Sequence, residues 1–138
     1  MTQEQILRGM GRPGQIVAID GGERFQYSLQ PYGQYATMVD FDRAGRVTQA
    51  KQVLTEAEFS RIDIDRWTTR DVDREYGRPA RIEHVANWDG DIWQYRWRQG
   101  LNDMFYWVYF DRQGIARKAH LGTEYENAPG YFDGAALP

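Results

Sequence analysis

Gly11-Arg12-Pro13 occurs a second time as Gly77-Arg78-Pro79, and the sequence around the two copies falls into register. Residues 2–16 (TQEQILRGMGRPGQI) align with residues 68–82 (TTRDVDREYGRPARI) at an offset of 66. In both copies a short helical pattern runs into Gly and then Pro, the residues that commonly end a helix. These paired helix ends fix the register in which the rest of the chain can be compared with itself.

Two further blocks match in the same order. Phe25-Gln26-Tyr27 aligns with Trp93-Gln94-Tyr95 at an offset of 68, and residues 39–45 align with residues 108–114 at an offset of 69. The offset grows only where turns are predicted. We interpret the pattern as a tandem duplication, because a fixed internal period indicates a repeated supersecondary unit.

Composition predicts a globular chain and excludes several kinds of site. The 138 residues include 41% apolar and 14% aromatic side chains, and the net charge is −3 with a pI near 5.4. A nucleic-acid groove normally carries a basic stripe, so we expect no nucleic-acid partner. The absence of cysteine excludes disulfides and thiolate metal sites. No signal-peptide pattern opens the chain, so we expect any targeting segment of an exported protein to lie upstream.

Three threonines mark predicted helix starts. They stand in Thr2-x-x-Gln5, Thr55-x-x-Glu58 and Thr68-x-x-Asp71, where the hydroxyl can accept a hydrogen bond from a free backbone N–H. Small apolar sets at helical spacing follow each cap. The helices are two to three turns long, so we expect tertiary packing to stabilise them.

Most of the chain between these helices alternates as β-strands do. The predicted strands are 15–20, 24–30, 35–41, 46–54, 81–86, 92–98, 104–110 and 115–120. The sequence therefore predicts an α+β fold of two tandem repeats, each a short helix or helical hairpin packed on a three- to four-stranded antiparallel meander. The predicted units are residues 1–54, residues 55–122 and an irregular tail at 123–138.

The repeated pattern resembles a known family. The run Thr2-x-x-x-Ile6, Gly11-x-Pro13, aromatic-x-Tyr and Val-x-Phe-Asp-x-x-Gly resembles the SmpA/OmlA (BamE-like) outer-membrane lipoprotein domain. Two such units in tandem resemble the β-lactamase inhibitor protein family. Members carry two helices before the sheet, which the second copy has at 55–62 and 68–76, whereas the first copy starts at its second helix. The family's lipid-bearing cysteine and the inhibitor's disulfides have no counterpart here.

The motif residues are predicted to be structural. Gly11 and Gly77 would end helices with positive φ, and Pro13 and Pro79 would open the next segment. We expect the strand aromatic residues of the motif to pack on the helices as core, because aromatic residues at period two usually do so. These core and turn positions are Phe25, Tyr27, Trp93, Tyr95, Phe110 and Asp111.

The two copies differ most on the opposite face of the sheet. Phe105, Trp107 and Tyr109 alternate with the core positions Val108 and Phe110, and Gln94, Arg96 and Arg98 share their face on the neighbouring strand. Aromatic residues and Arg are enriched at protein–protein hot spots, so we predict a protein-binding face here, which Trp88 could extend. On this interpretation Trp107→Ala abolishes binding without unfolding. The alternatives are that the face packs against the first repeat or the tail (Tyr125, Tyr131, Phe132), and that Trp88 is a hairpin staple.

No catalytic constellation is evident. His84 and His120 lack an acidic or hydroxyl partner at a recognisable spacing, and the turn carboxylates around Asp89 and Asp91 lack the other ligands of a calcium loop. We expect no enzyme activity, metal or cofactor. The resemblance implies a periplasmic interaction module of an outer-membrane lipoprotein, attached through a lipid anchor upstream of this chain. Its partner would belong to the outer-membrane assembly machinery. The alternative is an inhibitor of a secreted or periplasmic enzyme that uses the same aromatic face.

Overall fold

The structure, a computed structural model, describes residues 1–124 as short helices alternating with two antiparallel sheets. The elements of this part of the chain are α1 Gln3–Met10, β1 Gln15–Ile19, β2 Gly22–Ser28, β3 Ala36–Asp42, β4 Val47–Gln52, α2 Glu56–Phe59, α3 Thr69–Tyr76, β5 Arg81–Glu83, β6 Ile92–Gln99, β7 Asn102–Phe110 and β8 Ala116–Thr123. The strand orders are β1-β2-β3-β4 in the first sheet and β5-β6-β7-β8 in the second. The predicted α+β class and the two meanders are confirmed.

The helix boundaries follow from their predicted caps. The Thr2 hydroxyl accepts a hydrogen bond from the Gln5 N–H, and the Gln5 side chain accepts one from the Thr2 N–H. Thr68 and Asp71 form the same reciprocal pair at the start of α3. Because this arrangement satisfies two otherwise free N–H groups at each start, such short helices have defined beginnings.

The two halves share local geometry at matching positions. Thr2 forms an isolated bridge with Arg46, and Thr68 forms one with Ile115. Each sheet carries a β-bulge at the corresponding place, after Asp40 in β3 and after Tyr109 in β7. These paired irregularities agree with the register deduced from the repeated sequence.

One face of the first sheet packs on α1. Ile6 of α1 is buried against Phe25, Val39 and Phe41 from β2 and β3. Phe25 and Phe41 meet edge to face with their ring centroids 4.6 Å apart. This small cluster is the core of the first half.

The other face of the first sheet forms part of a larger core that both halves share. Ala36 and Met38 of β3 lie in one buried cluster with α2, α3 and the inner face of the second sheet. Ala36, Met38 and Asp40 lie on the face of β3 opposite Val39 and Phe41, and all three are buried. The reason is that α3, between the two sheets, contacts both.

Polar contacts fix α3 to the first sheet. The buried Arg24 guanidinium lies 2.6 Å from Asp40, and it also donates to the carbonyl oxygen of Arg74 at 3.0 Å. The hydrogen bond to Asp40 raises the pKa of Arg24, although burial acts in the opposite direction. The Gln26 amide donates to the carbonyl oxygen of Asp73 at 2.8 Å. Two carbonyl groups of the last turn of α3 therefore accept hydrogen bonds from the other half.

The described chain ends just beyond β8. This strand runs to Thr123, one residue past the predicted boundary of the second unit. The predicted irregular tail, with Tyr125, Tyr131 and Phe132, lies outside the described residues. Within residues 1–124, every helix is too short to span a bilayer.

Candidate functional site

The outer face of the second sheet is not open to solvent at its centre. Phe105, Trp107 and Tyr109 form a buried cluster with Ile92, and Trp107 exposes 0% of its surface. The expectation of an exposed aromatic face is therefore wrong for these residues. Alternation along β7 correctly places them opposite Val108, but it carries no information about what covers each face of the sheet.

The contacts of Trp107 are those of a core residue. Its indole N–H donates to the buried Gln94 side chain at 3.1 Å, and its ring lies 4.9 Å from the His120 ring and 5.5 Å from the Phe105 ring, between centroids. Trp107→Ala would remove a fully buried ring, so we now expect it to destabilise the fold. Binding by the centre of this face stays a prediction, and this substitution cannot test it cleanly.

Arg96, predicted to lie on this face, contacts the first half. Its guanidinium donates to the carbonyl oxygens of Pro31 at 2.8 Å and Tyr32 at 3.2 Å, and it pairs with Glu124 at 3.0 Å. The Gln30 side chain accepts a hydrogen bond from the Arg96 N–H at 2.9 Å and donates to its carbonyl oxygen at 2.7 Å. Arg96 therefore holds the β2–β3 loop against the second sheet.

The remaining predicted members lie at the rim. Arg98 is exposed and lies 3.7 Å from Asp103. Trp88 is half-buried, and its indole N–H donates to the carbonyl oxygen of Phe110 at 2.9 Å. Its ring also meets Tyr109 edge to face, with 5.2 Å between centroids. The interpretation of Trp88 as a staple for the β5–β6 connection fits these contacts.

The motif residues that end helices and open strands occupy the predicted positions, whereas Tyr27, predicted as core, is only half-buried. Gly11 and Gly77 end their helices at φ +80° and +81°, a region that favours glycine. Pro13 and Pro79 each stand two residues before a strand. The Tyr95 hydroxyl donates to the Gly77 carbonyl oxygen at 2.7 Å, as Tyr27 does to Gly11 at 2.8 Å.

The other motif residues of the second half also lie as predicted. Trp93 and Phe110 are buried and meet edge to face, with 4.9 Å between ring centroids. The Asp111 carboxylate accepts hydrogen bonds from the backbone of Gln113 and Ile115 in the β7–β8 turn. The structural interpretation of these motif residues agrees with their contacts.

Both histidines have partners that the sequence did not indicate. His84 Nε2 lies 2.7 Å from Asp91, because β5 and β6 pair directly beside them. His120 Nε2 lies 3.1 Å from the Tyr109 hydroxyl. Burial raises the pKa of that phenol to about 12, so Tyr109 stays protonated at neutral pH. Within residues 1–124, no group of three or more His, Cys, Asp or Glu residues is arranged to hold a metal ion.

A different apolar surface, which the sequence did not reveal, lies open on the first half. Met10, Leu29 and Tyr35 expose 46%, 58% and 47% of their surface. The Leu29 N–H donates to the Tyr35 carbonyl oxygen, and the Tyr27 hydroxyl ties β2 to the residue after Met10. We call the surface formed by Met10, Tyr27, Leu29, Tyr35 and Thr37 the first-half groove.

The counterparts of these residues in the second half are buried. Met10, Leu29 and Tyr35 correspond to Tyr76, Trp97 and Met104, each of which exposes 3% of its surface or less. The signal that could have revealed the groove was the missing first helix of the first copy, since that helix covers these positions in the second.

Comparison with known proteins adds little. No protein-family model and no curated protein matches the chain. The crystal structure of a DUF4309 family protein (YjgB) from Bacillus subtilis subsp. subtilis str. 168 is similar at 15% sequence identity and a TM-score of 0.37. That similarity covers 89% of this chain and 78% of the other. At such a TM-score it supports no inference about function.

Proposed function

We propose that this chain is a non-enzymatic protein-interaction module that holds a partner protein in the first-half groove. The observation that carries the proposal is the contrast between the two halves. Met10, Leu29 and Tyr35 are each about half exposed, whereas the residues at the same places in the second half are buried in the cluster that contains Phe59 of α2. Exposed apolar side chains gathered in one place mark a binding surface more often than scattered ones do.

Neighbouring loops extend this surface. Tyr32, at the tip of the β2–β3 loop, is almost fully exposed, and so is Leu101 in the β6–β7 turn. The Gln34 side chain donates to Asp103 at 2.8 Å, so the loop and the turn lie side by side. Arg96 and Gln30 anchor the same loop to β6. A rigid scaffold that presents apolar loop tips is typical of protein-binding domains.

The resemblance to the SmpA/OmlA family extends the proposal to a compartment and a process. We propose that the module belongs to the periplasmic side of the outer membrane, anchored by lipid, and supports envelope or outer-membrane protein assembly. The rim of the aromatic face, with Trp88 and Arg98, would offer such a partner a second contact surface.

Site-specific photo-cross-linking tests the proposal. A photo-reactive phenylalanine analogue replaces Leu29 in the groove, or Ile82 on the second half, which is of similar exposure. We expect a discrete protein adduct in envelope preparations from Leu29 only, and we expect Met10→Asp in the same chain to abolish it. Equal adducts from both sites, or none from Leu29, would refute the proposal.

A further inference from the structure

In the second half, the position equivalent to the first-half groove is filled by a side chain of the protein itself. Phe59, at the end of the single-turn helix α2, is fully buried between α3 and the second sheet. Its ring stacks on Tyr106 with 4.2 Å between centroids and an interplanar angle of 4°. Three further rings surround it at centroid distances of 5.1 to 5.8 Å, those of Tyr76, Tyr95 and Trp97. One aromatic side chain on a short helix therefore closes the groove.

The first half has counterparts of the residues that surround Phe59, but it has no counterpart of helix α2 among residues 1–124. The rings around Phe59 correspond to Met10, Tyr27, Leu29 and Thr37 at offsets of 66, 68 and 69. Among residues 1–124, no helix covers these positions. Gly9 stands where α3 has Glu75, and a side chain added there would meet open space. Among the described residues, this groove therefore has no counterpart of Phe59.

The sizes of the lining side chains indicate which kind of side chain would fill the first-half groove. Three of the four rings around Phe59 are replaced by smaller side chains, since Met10, Leu29 and Thr37 stand in place of Tyr76, Trp97 and Tyr106. The fourth ring is unchanged as Tyr27, and Tyr35 at the edge of the groove is larger than its counterpart Met104. A groove of the same outline with smaller walls leaves more room for the side chain that enters it. Since close packing is required for stable burial, a bulky aromatic residue is needed to fill this space.

We propose that the first-half groove binds a short amphipathic helix of a partner protein, and that an aromatic side chain of this helix inserts between Met10 and Leu29 as Phe59 does in the second half. This inference rests on the proposed function and specifies the partner's binding element. It is an instance of recognition of a helix in a groove. Because the lining is apolar, the affinity depends weakly on salt.

A peptide with the chain's own α2 sequence is the probe. The peptide VLTEAEFSRIDIDR, residues 53–66, is labelled with fluorescein and titrated with the full 138-residue chain while fluorescence polarisation is recorded. We expect a dissociation constant below about 1 mM. The Phe59→Ala peptide should bind roughly tenfold more weakly or worse. The Phe59→Trp peptide should bind more tightly than the original, because Met10, Leu29 and Thr37 leave more room around the inserted ring than the larger residues at the same positions of the second half.

Variants of the full chain locate the site. Leu29→Asp should abolish peptide binding, whereas Ile82→Asp, at a residue of similar exposure, should not. Thermal melting checks that both variants fold. If Leu29→Asp does not fold, Met10→Asp is used in its place. Chemical shifts of backbone amides should change around Met10, Leu29 and Tyr35 when the peptide binds.

Three results would overturn the inference. The peptides do not bind the chain, the three peptides bind with equal affinity, or the chemical-shift changes are confined to the outer face of the second sheet around Trp107. A dimer in sedimentation that Leu29→Asp dissociates would assign the groove to a second copy of the chain. If the peptides do not bind but the analogue at position 29 still cross-links to an envelope protein, the proposed function stands. Only the inference that the partner binds through a helix is then rejected.

Discussion

Replacement of Phe59 by alanine measures how much the packing of α2 on the second half contributes to the free energy of unfolding. The ring is fully buried and stacked on Tyr106. Truncation of a buried Phe to Ala generally costs about 3–5 kcal/mol, from lost burial and the cavity left behind. Because the ring also forms favourable aromatic pairs, we expect Phe59→Ala to lower the free energy of unfolding by about 4 kcal/mol.

Urea unfolding followed by tryptophan fluorescence reads out this change, with Trp97 beside Phe59 as a local reporter. For a denaturant slope of about 2 kcal/mol per molar, the loss moves the midpoint down by about 2 M. Leu29→Ala is the matched control, because Leu29 is the counterpart of Trp97 and is mostly exposed. We expect it to change stability by no more than about 0.5 kcal/mol.

A midpoint shift below about 0.5 M for Phe59→Ala would refute this reasoning. It would mean that α2 is not anchored in the shared core, and the comparison that defines the first-half groove would lose its basis. A large loss of stability in Leu29→Ala would refute the other half of the comparison, because it would show that this residue is covered.

Two further predictions concern charged groups. Arg24→Met leaves the buried Asp40 carboxylate without its main partner, so we expect it to lower the free energy of unfolding by about 3 kcal/mol in the urea assay. The double variant Arg24→Met/Asp40→Leu should largely restore this stability. Equal losses in the single and the double variant would contradict this. Burial lowers the pKa of His120 and the charge of Lys118 acts in the same direction, so the folded chain takes up this proton less readily than the unfolded chain. Stability is therefore lost as the pH falls below about 6.5 and toward the lowered pKa. The thermal midpoint of His120→Asn should fall less steeply than that of the wild type between pH 7 and pH 5, and parallel curves would contradict the assignment.

The sequence predicted local structure well. The threonine caps, the glycines that end α1 and α3, and all eight strands lie within a few residues of their predicted places, because backbone hydrogen bonding and alternation are local properties. Several buried positions were also predicted, such as Phe25 and Val108. These follow from a two-residue period together with a neighbouring helix.

What the sequence could not predict is which surfaces are covered. Alternation places Leu29, one residue beyond the end of β2, on the same side as Phe25 and Tyr27, and it places Trp107 on the face of β7 opposite Val108. Yet Leu29 is exposed, since no helix within residues 1–124 covers it, and Trp107 is buried although its face was expected to be open. Met38 is buried because α3 packs against it from the other half. Coverage depends on contacts between elements far apart in the chain, and single-strand periodicity does not contain them.

The double hydrogen bond between the Gln30 side chain and the backbone of Arg96 has a consequence for solubility. Strand β5 begins at Arg81, opposite Gln94, so β6 continues past its neighbour with a bare edge. Bare edges recruit strands from other molecules and start aggregation. Gln30 occupies both free groups of Arg96 at this edge, and a foreign strand finds no open pair there. A single amide side chain thus takes the place of one residue of a neighbouring strand at Arg96.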